Sequence, residues 1–171
     1  MRDIASAVGI NVASIYNHYG SKEAILHSLY ETYEKCLNEA RPDMDSVMRM
    51  CETASVAEIM AVLDFHYKED QQEMIDRTIL TATRMLISDP LSVAFVKKCI
   101  FDNIRDLLVA PMNRMIELGR IEPIDVDAFV ILVSHFSFSA AMLNFSPLRL
   151  NLSEWHAGLS FILPRIKEGD K

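Results

Sequence analysis

Residues 1–22 read MRDIASAVGINVASIYNHYGSK, and the organisation of the whole chain follows from how this stretch folds. A first helix over about 1–8 ends at Gly9, a position suited to left-handed backbone. Asn11 is placed to cap a second helix over about 12–19, with Ile10 and Ile15 at the staple positions around that cap. Gly20 stops the second helix and Ser21 caps a third, which runs to about Glu39. Two short helices joined by a tight turn at Val8-Gly9-Ile10-Asn11 have the layout of a helix-turn-helix. Ile4, Ala5, Val8, Ile15 and Tyr19 are the expected shared core, with alanines letting the helices cross closely.

The opposite side of the second helix offers Val12, Ala13, Ser14, Asn17 and His18. These side chains are small or polar, as required of a helix entering a major groove about 12 Å wide. Ser14 and Asn17 can hydrogen-bond base edges, and Val12 and Ala13 can touch a thymine methyl. Tyr16, His18 and Lys22 can reach phosphates, joined by backbone N–H groups at the Ser21-capped helix start.

Outward from this stretch the pattern is helical throughout, with no alternating strand or hairpin signals. Arg41-Pro42-Asp43 is the clearest break, so residues 1–40 and 41–171 are expected to form two domains. Ser55 and Glu58 form a capping box that opens a helix to about Lys68. Further helices are expected over about 70–87, 91–118, 125–145 and 153–167. Pro111 should kink or split the third of these five.

The net charge of −7 taken alone argues against nucleic acid, but its distribution matters more. Residues 1–22 carry Arg2 and Lys22 against Asp3, a net of +1, which leaves −8 for the remainder. Cys36, Cys51 and Cys99 are far apart and form no CxxC, which fits reduced thiols in a cytoplasmic protein. The start shows no secretory signal, and the apolar stretch 126–145 is interrupted by polar residues, so a buried helix is expected there and not a membrane span. No GxSxG, P-loop, GxGxxG or HExxH is present, so neither an enzyme nor a cofactor is expected. Glu23, His27 and Glu31 fall on one helix face at metal-ligand spacing; solvated charge pairing is the favoured explanation, and no metal site is expected.

The run Ile4-Ala5, Gly9, Ile15-Tyr16-Asn17-His18-Tyr19 and Lys22-Glu23 resembles the TetR family of transcriptional regulators in spacing as well as residue type, over about residues 1–30. The resemblance implies an all-α protein: a helix-turn-helix DNA-binding segment followed by a helical ligand-binding and dimerisation domain. It implies that Tyr16, His18 and Lys22 hold phosphates while Asn11, Val12, Ala13, Ser14 and Asn17 face the bases. Its partners would be double-stranded operator DNA, a small apolar effector and a second copy of the chain. Its common mode is repression relieved by the effector. Glu117-Leu118-Gly119-Arg120-Ile121 also looks like the family's C-terminal half.

Two departures stand out. The helix that precedes this segment in the family lies outside the sequence, and Val12 stands where a basic residue often begins the recognition helix. Both lower phosphate neutralisation, so this chain is expected to bind DNA weakly. A helical module that binds ligand or dimerises without binding DNA is the competing reading.

In the second domain His66, Met85, Asn103 and His135 are the candidate ligand contacts, polar or soft groups set among apolar neighbours. Most of the ten methionines are expected to be core filler. The helix 126–145 is apolar on more than one face. One side would pack on its own domain, and the other, with Trp155, Leu159, Ile162 and Ile166 of the last helix, on a second subunit.

Overall fold

A computed structural model describes residues 1–63 and 69–144. The described residues form helices and no strand. The helix expected over 153–167 and the interface residues on it lie outside them.

The first helix, α1 (Arg2–Val8), ends where Gly9 takes φ 72°, and the Ile10 N–H returns to the Ala5 carbonyl at 3.0 Å. Asn11 caps α2 (Val12–Tyr16), its side chain accepting from the Ala13 N–H at 2.9 Å. This helix is shorter than the expected 12–19, although Asn17 keeps helical dihedrals and the Tyr19 N–H still reaches Ile15. Ala5 and Ile15 are buried between the pair. Val8, expected in that core, is 65% exposed, standing at the end of α1 directly before the Gly9 turn. Ile10 is also exposed.

Ser21 caps α3 (Lys22–Glu39), accepting from the Ala24 N–H at 3.1 Å. One face of α3 buries Leu26, Tyr30, Tyr33, Cys36 and Leu37, a helical spacing. These residues pack with Ile75 and Ala82 of α6 (Glu69–Met85), Phe95 and Val96 of α7 (Pro90–Val96), and Cys99. The chain break at Arg41–Asp43 thus separates helices while one core spans it.

A helix not anticipated by the sequence pattern, α4 (Met44–Met50), follows directly and is capped by Asp43, which holds the Ser46 hydroxyl at 2.6 Å. The capping box of α5 (Val56–Leu63) forms reciprocally: Ser55 N–H donates to Glu58 Oε2 at 2.7 Å, and Glu58 N–H to Ser55 Oγ at 3.2 Å. Val47, Cys51, Ile59 and Leu63 of this region meet Leu107, Met112 and Met115 of α8 (Asn103–Glu117) and Phe129, Val130 and Val133 of α9 (Val126–Asn144) in a second apolar cluster.

The stretch expected as one helix over 91–118 is α7 and α8 joined by a π-helical segment, Lys97–Asp102. Pro111 does not split it. Its ring is buried, and Leu107, Leu108, Met112 and Met115 around it hold α8 in the core. The irregular hydrogen bonding lies upstream, between the part of the helix that faces one cluster and the part that faces the other.

Gly119, at φ 70°, ends α8. Arg120 then reaches back to the end of α4, its guanidinium donating to the carbonyls of Glu52, Thr53 and Ala54 at 3.0, 2.9 and 3.3 Å. Ile121 beside it is fully buried. The Gly-Arg-Ile run therefore closes one helix, ties the α4–α5 link, and plugs the core below. Cys36, Cys51 and Cys99 are free and buried; burial pushes the Cys99 thiol up to about 12, so it is a packing group and not a nucleophile. Among the described residues no helix is long and apolar enough to cross a membrane.

Candidate nucleic-acid interface

Successive residues of α2 turn by about 100°. Ile15 marks the inward direction, with Val12 and Tyr19, one turn before and after it, half-buried on the same side. Ala13, Ser14, Asn17 and His18 occupy the outward arc and are exposed. Asn17 and Ser14 sit at its centre, with Ala13 and His18 at its margins. Tyr16, 55% exposed, flanks the arc, and Lys22 stands exposed at the start of α3. The geometry is a small reading face edged by groups that can take phosphate.

The eight sequence-selected residues are not equivalent. Asn11 is exposed, but its carboxamide oxygen accepts from the Ala13 N–H, which fixes the side chain in the cap of α2. Val12 turns partly inward. At the start of α3, the Glu23 carboxyl is held below its usual range, first by its own backbone N–H and then by the Ser21 hydroxyl. A carboxylate thus already occupies the α3 N-terminus, which weakens that end as a phosphate cradle.

The four candidate ligand contacts are dispersed. His66 lies outside the described residues. Met85 packs half-buried against the α3–α6–α7 cluster. Asn103 is 7% exposed, and its backbone N–H is held by the Lys98 and Ile100 carbonyls. It opens α8 directly after the π-helical segment, between Cys99 of one cluster and Leu107 of the other. His135, expected in apolar surroundings, is instead exposed. Its Nδ1 is 2.8 Å from the Ile131 carbonyl one turn back, and its ring centroid is 5.1 Å from that of Phe101.

Sequence reasoning missed the joint between α3 and α7. Tyr30 stacks on Phe95 at 4.0 Å, and Tyr33 meets the same ring edge-on at 5.0 Å. The Ser92 hydroxyl donates to Asp89, so its oxygen accepts from the Tyr30 hydroxyl, 2.7 Å away. Burial raises the Tyr30 hydroxyl above its ordinary pKa, keeping it a donor. Lys98 donates to Glu34 at 2.6 Å across the same joint. An open groove of about 320 Å³ runs over it, lined by His27, Tyr30, Glu31, Glu34, Leu91, Ala94, Phe95 and Lys98. The spacing of Tyr30, Tyr33 and Leu37 signals a buried face on α3, but their partners lie some 60 residues away and leave no local mark. His27 and Glu31 pair at 3.3 Å, and no cluster of three or more metal-ligating side chains occurs among the described residues.

A capped, small-residue helix set outward after a glycine turn defines a helix-turn-helix DNA-binding segment. Residues 1–29 match the family model for bacterial regulatory proteins, tetR family. The N-terminal segment is thus a DNA-binding helix-turn-helix of the TetR type, with the match covering 29 of 171 residues. No curated protein and no solved structure matches it significantly.

Proposed function

We propose that two copies of the chain pair about a two-fold axis, present their α2 helices to successive major grooves of an operator, and repress transcription until a small apolar molecule enters the body and releases them. The exposed arc of Ala13, Ser14, Asn17 and His18, edged by Tyr16 and Lys22, carries this reading. Pairing is supported by α9, where Ile131 and Leu132 are 54% and 55% exposed on the side opposite buried Val130 and Val133. Two large apolar side chains exposed side by side on a helix otherwise packed in the core fit a subunit contact. A protein that reads operator DNA works in the cytoplasm, and that location is part of the proposal.

Asn103 is the strongest of the ligand candidates. It is a largely buried polar residue between the two apolar clusters, beside a π-helical turn of the kind often found at functional sites. A ligand that shifts α7 or the π segment acts on α3 through the Tyr30–Ser92–Asp89 chain and the Phe95 stack. Because α3 carries α2 at its N-terminal end, a ligand favouring a differently angled α3 lowers DNA affinity, and DNA lowers ligand affinity by the same factor.

Footprinting on genomic fragments retained by the protein tests the reading. Two symmetric protected segments, centred about one helical turn or a multiple of it apart, are expected. A stable dimer that retains no DNA would instead support the module that binds ligand without reading operators.

A further inference from the structure

We infer that α2 selects A·T base pairs at the centre of each half-site, with Asn17 reading an adenine edge and the Ala13 methyl meeting a thymine methyl. The inference rests on the DNA-reading role of α2 proposed above and adds which bases it reads. Guanine is read most often by Arg or Lys, whose donors match its paired O6 and N7 acceptors. Residues 11–21 contain neither. The outward arc instead holds one carboxamide, one hydroxyl, one methyl and, at its margin, one imidazole.

A carboxamide presents a donor beside an acceptor, which matches adenine N6 and N7. Of the two carboxamides in the segment, Asn11 is tied back to its own helix end by the Ala13 N–H at 2.9 Å, which fixes its carboxamide in the cap. The Asn17 side chain has no partner among the described residues, and so keeps both functions free at the centre of the arc. Ala13 lies one turn before Asn17 on the same side, about 6 Å along the helix axis. That separation spans about two base-pair steps at 3.4 Å each. Ser14, whose hydroxyl both donates and accepts, tolerates either pair and adds no preference against A·T.

The test is selection from a random duplex library by the full-length chain at low ionic strength, run in parallel with Asn17→Ala and Asn17→Arg. The wild type is expected to enrich an A·T position in each half-site by between about 5-fold and 150-fold over the other bases, the range for one good bidentate contact. Asn17→Ala should flatten that position while the rest of the motif persists, and Asn17→Arg should convert it to G·C. A wild-type motif with G·C at the half-site centre, an A·T position indifferent to both substitutions, or retention of DNA with no enriched motif overturns the base assignment and leaves DNA binding standing. Failure of all three proteins to retain any duplex overturns the role of α2 itself, and the inference with it.

Discussion

The reading head and the body of this protein are built to different standards of packing. In residues 1–20 only Ala5 and Ile15 are buried, while Val8, Ile10 and Tyr16 stand largely exposed. In the body two apolar clusters bury side chains such as Ile59, Ile75, Met112, Met115 and Ile121 almost completely. The head is shaped by caps and a glycine turn, and the body by apolar burial. A surface that must enter a groove has to keep its side chains outside, so the head has little left with which to build a core. Its position depends on α3, which belongs by packing to the body.

The largest expected effect tests this contrast directly. Met112→Ala removes a fully buried side chain from α8 and should lower global stability by about 2–5 kcal/mol in urea denaturation. Ile15→Ala empties the small head core and should abolish DNA binding while leaving the main unfolding transition nearly unchanged. If both substitutions shift that transition equally, head and body are one cooperative unit and the contrast fails.

Arg120→Ala removes three hydrogen bonds from a charged donor to the end of α4 and should cost about 1–3 kcal/mol. A loss confined to a few tenths would mean that water replaces the guanidinium without penalty. Tyr30→Phe keeps the stack on Phe95 and deletes only the bond to Ser92, for about 1 kcal/mol. Its sharper signature is functional: DNA affinity should respond less to any bound effector, measured by anisotropy with and without it.

The smallest effect is acid sensitivity. Asp89 is held below its usual range, first by the Ser92 hydroxyl; Asp43 likewise, first by Ser46; and Glu58, first by the Ser55 backbone N–H. A carboxyl lowered in the folded state stabilises it above the unfolded value, and that stabilisation disappears as pH falls through the lowered value. Stability should therefore decline below the ordinary carboxylate range, and less steeply in Asp89→Asn. An unchanged acid profile in that variant would remove Asp89 from the account.

The features legible in the sequence were those with local chemistry. Gly9, Asn11, Ser21, and the pair Ser55 and Glu58 announce their turns and caps because each satisfies backbone groups within a few residues. The exposed arc of α2 follows from the same local geometry. Helix α4 escaped because its seven residues carry too few turns for a periodic signal. The π-helical segment leaves no local mark, because its register change answers to two separate cores and not to a helix-breaking residue such as Pro111. His135 looked buried from its apolar neighbours in sequence, yet on α9 it shares a side with exposed Ile131 and Leu132. The joint of Tyr30 with Ser92 joins residues 62 apart, beyond any pattern in one stretch.

What everything else depends on is that α2 lies in a groove with Lys22 against the backbone, and the salt dependence of DNA binding measures that ammonium–phosphate pairing. Plotting log affinity against log salt for the wild type and for Lys22→Ala should give lines whose slopes differ by about 0.9 for each phosphate that Lys22 neutralises, the variant being the shallower. Identical slopes, with binding that persists at full strength, would mean that DNA is held somewhere other than this helix pair.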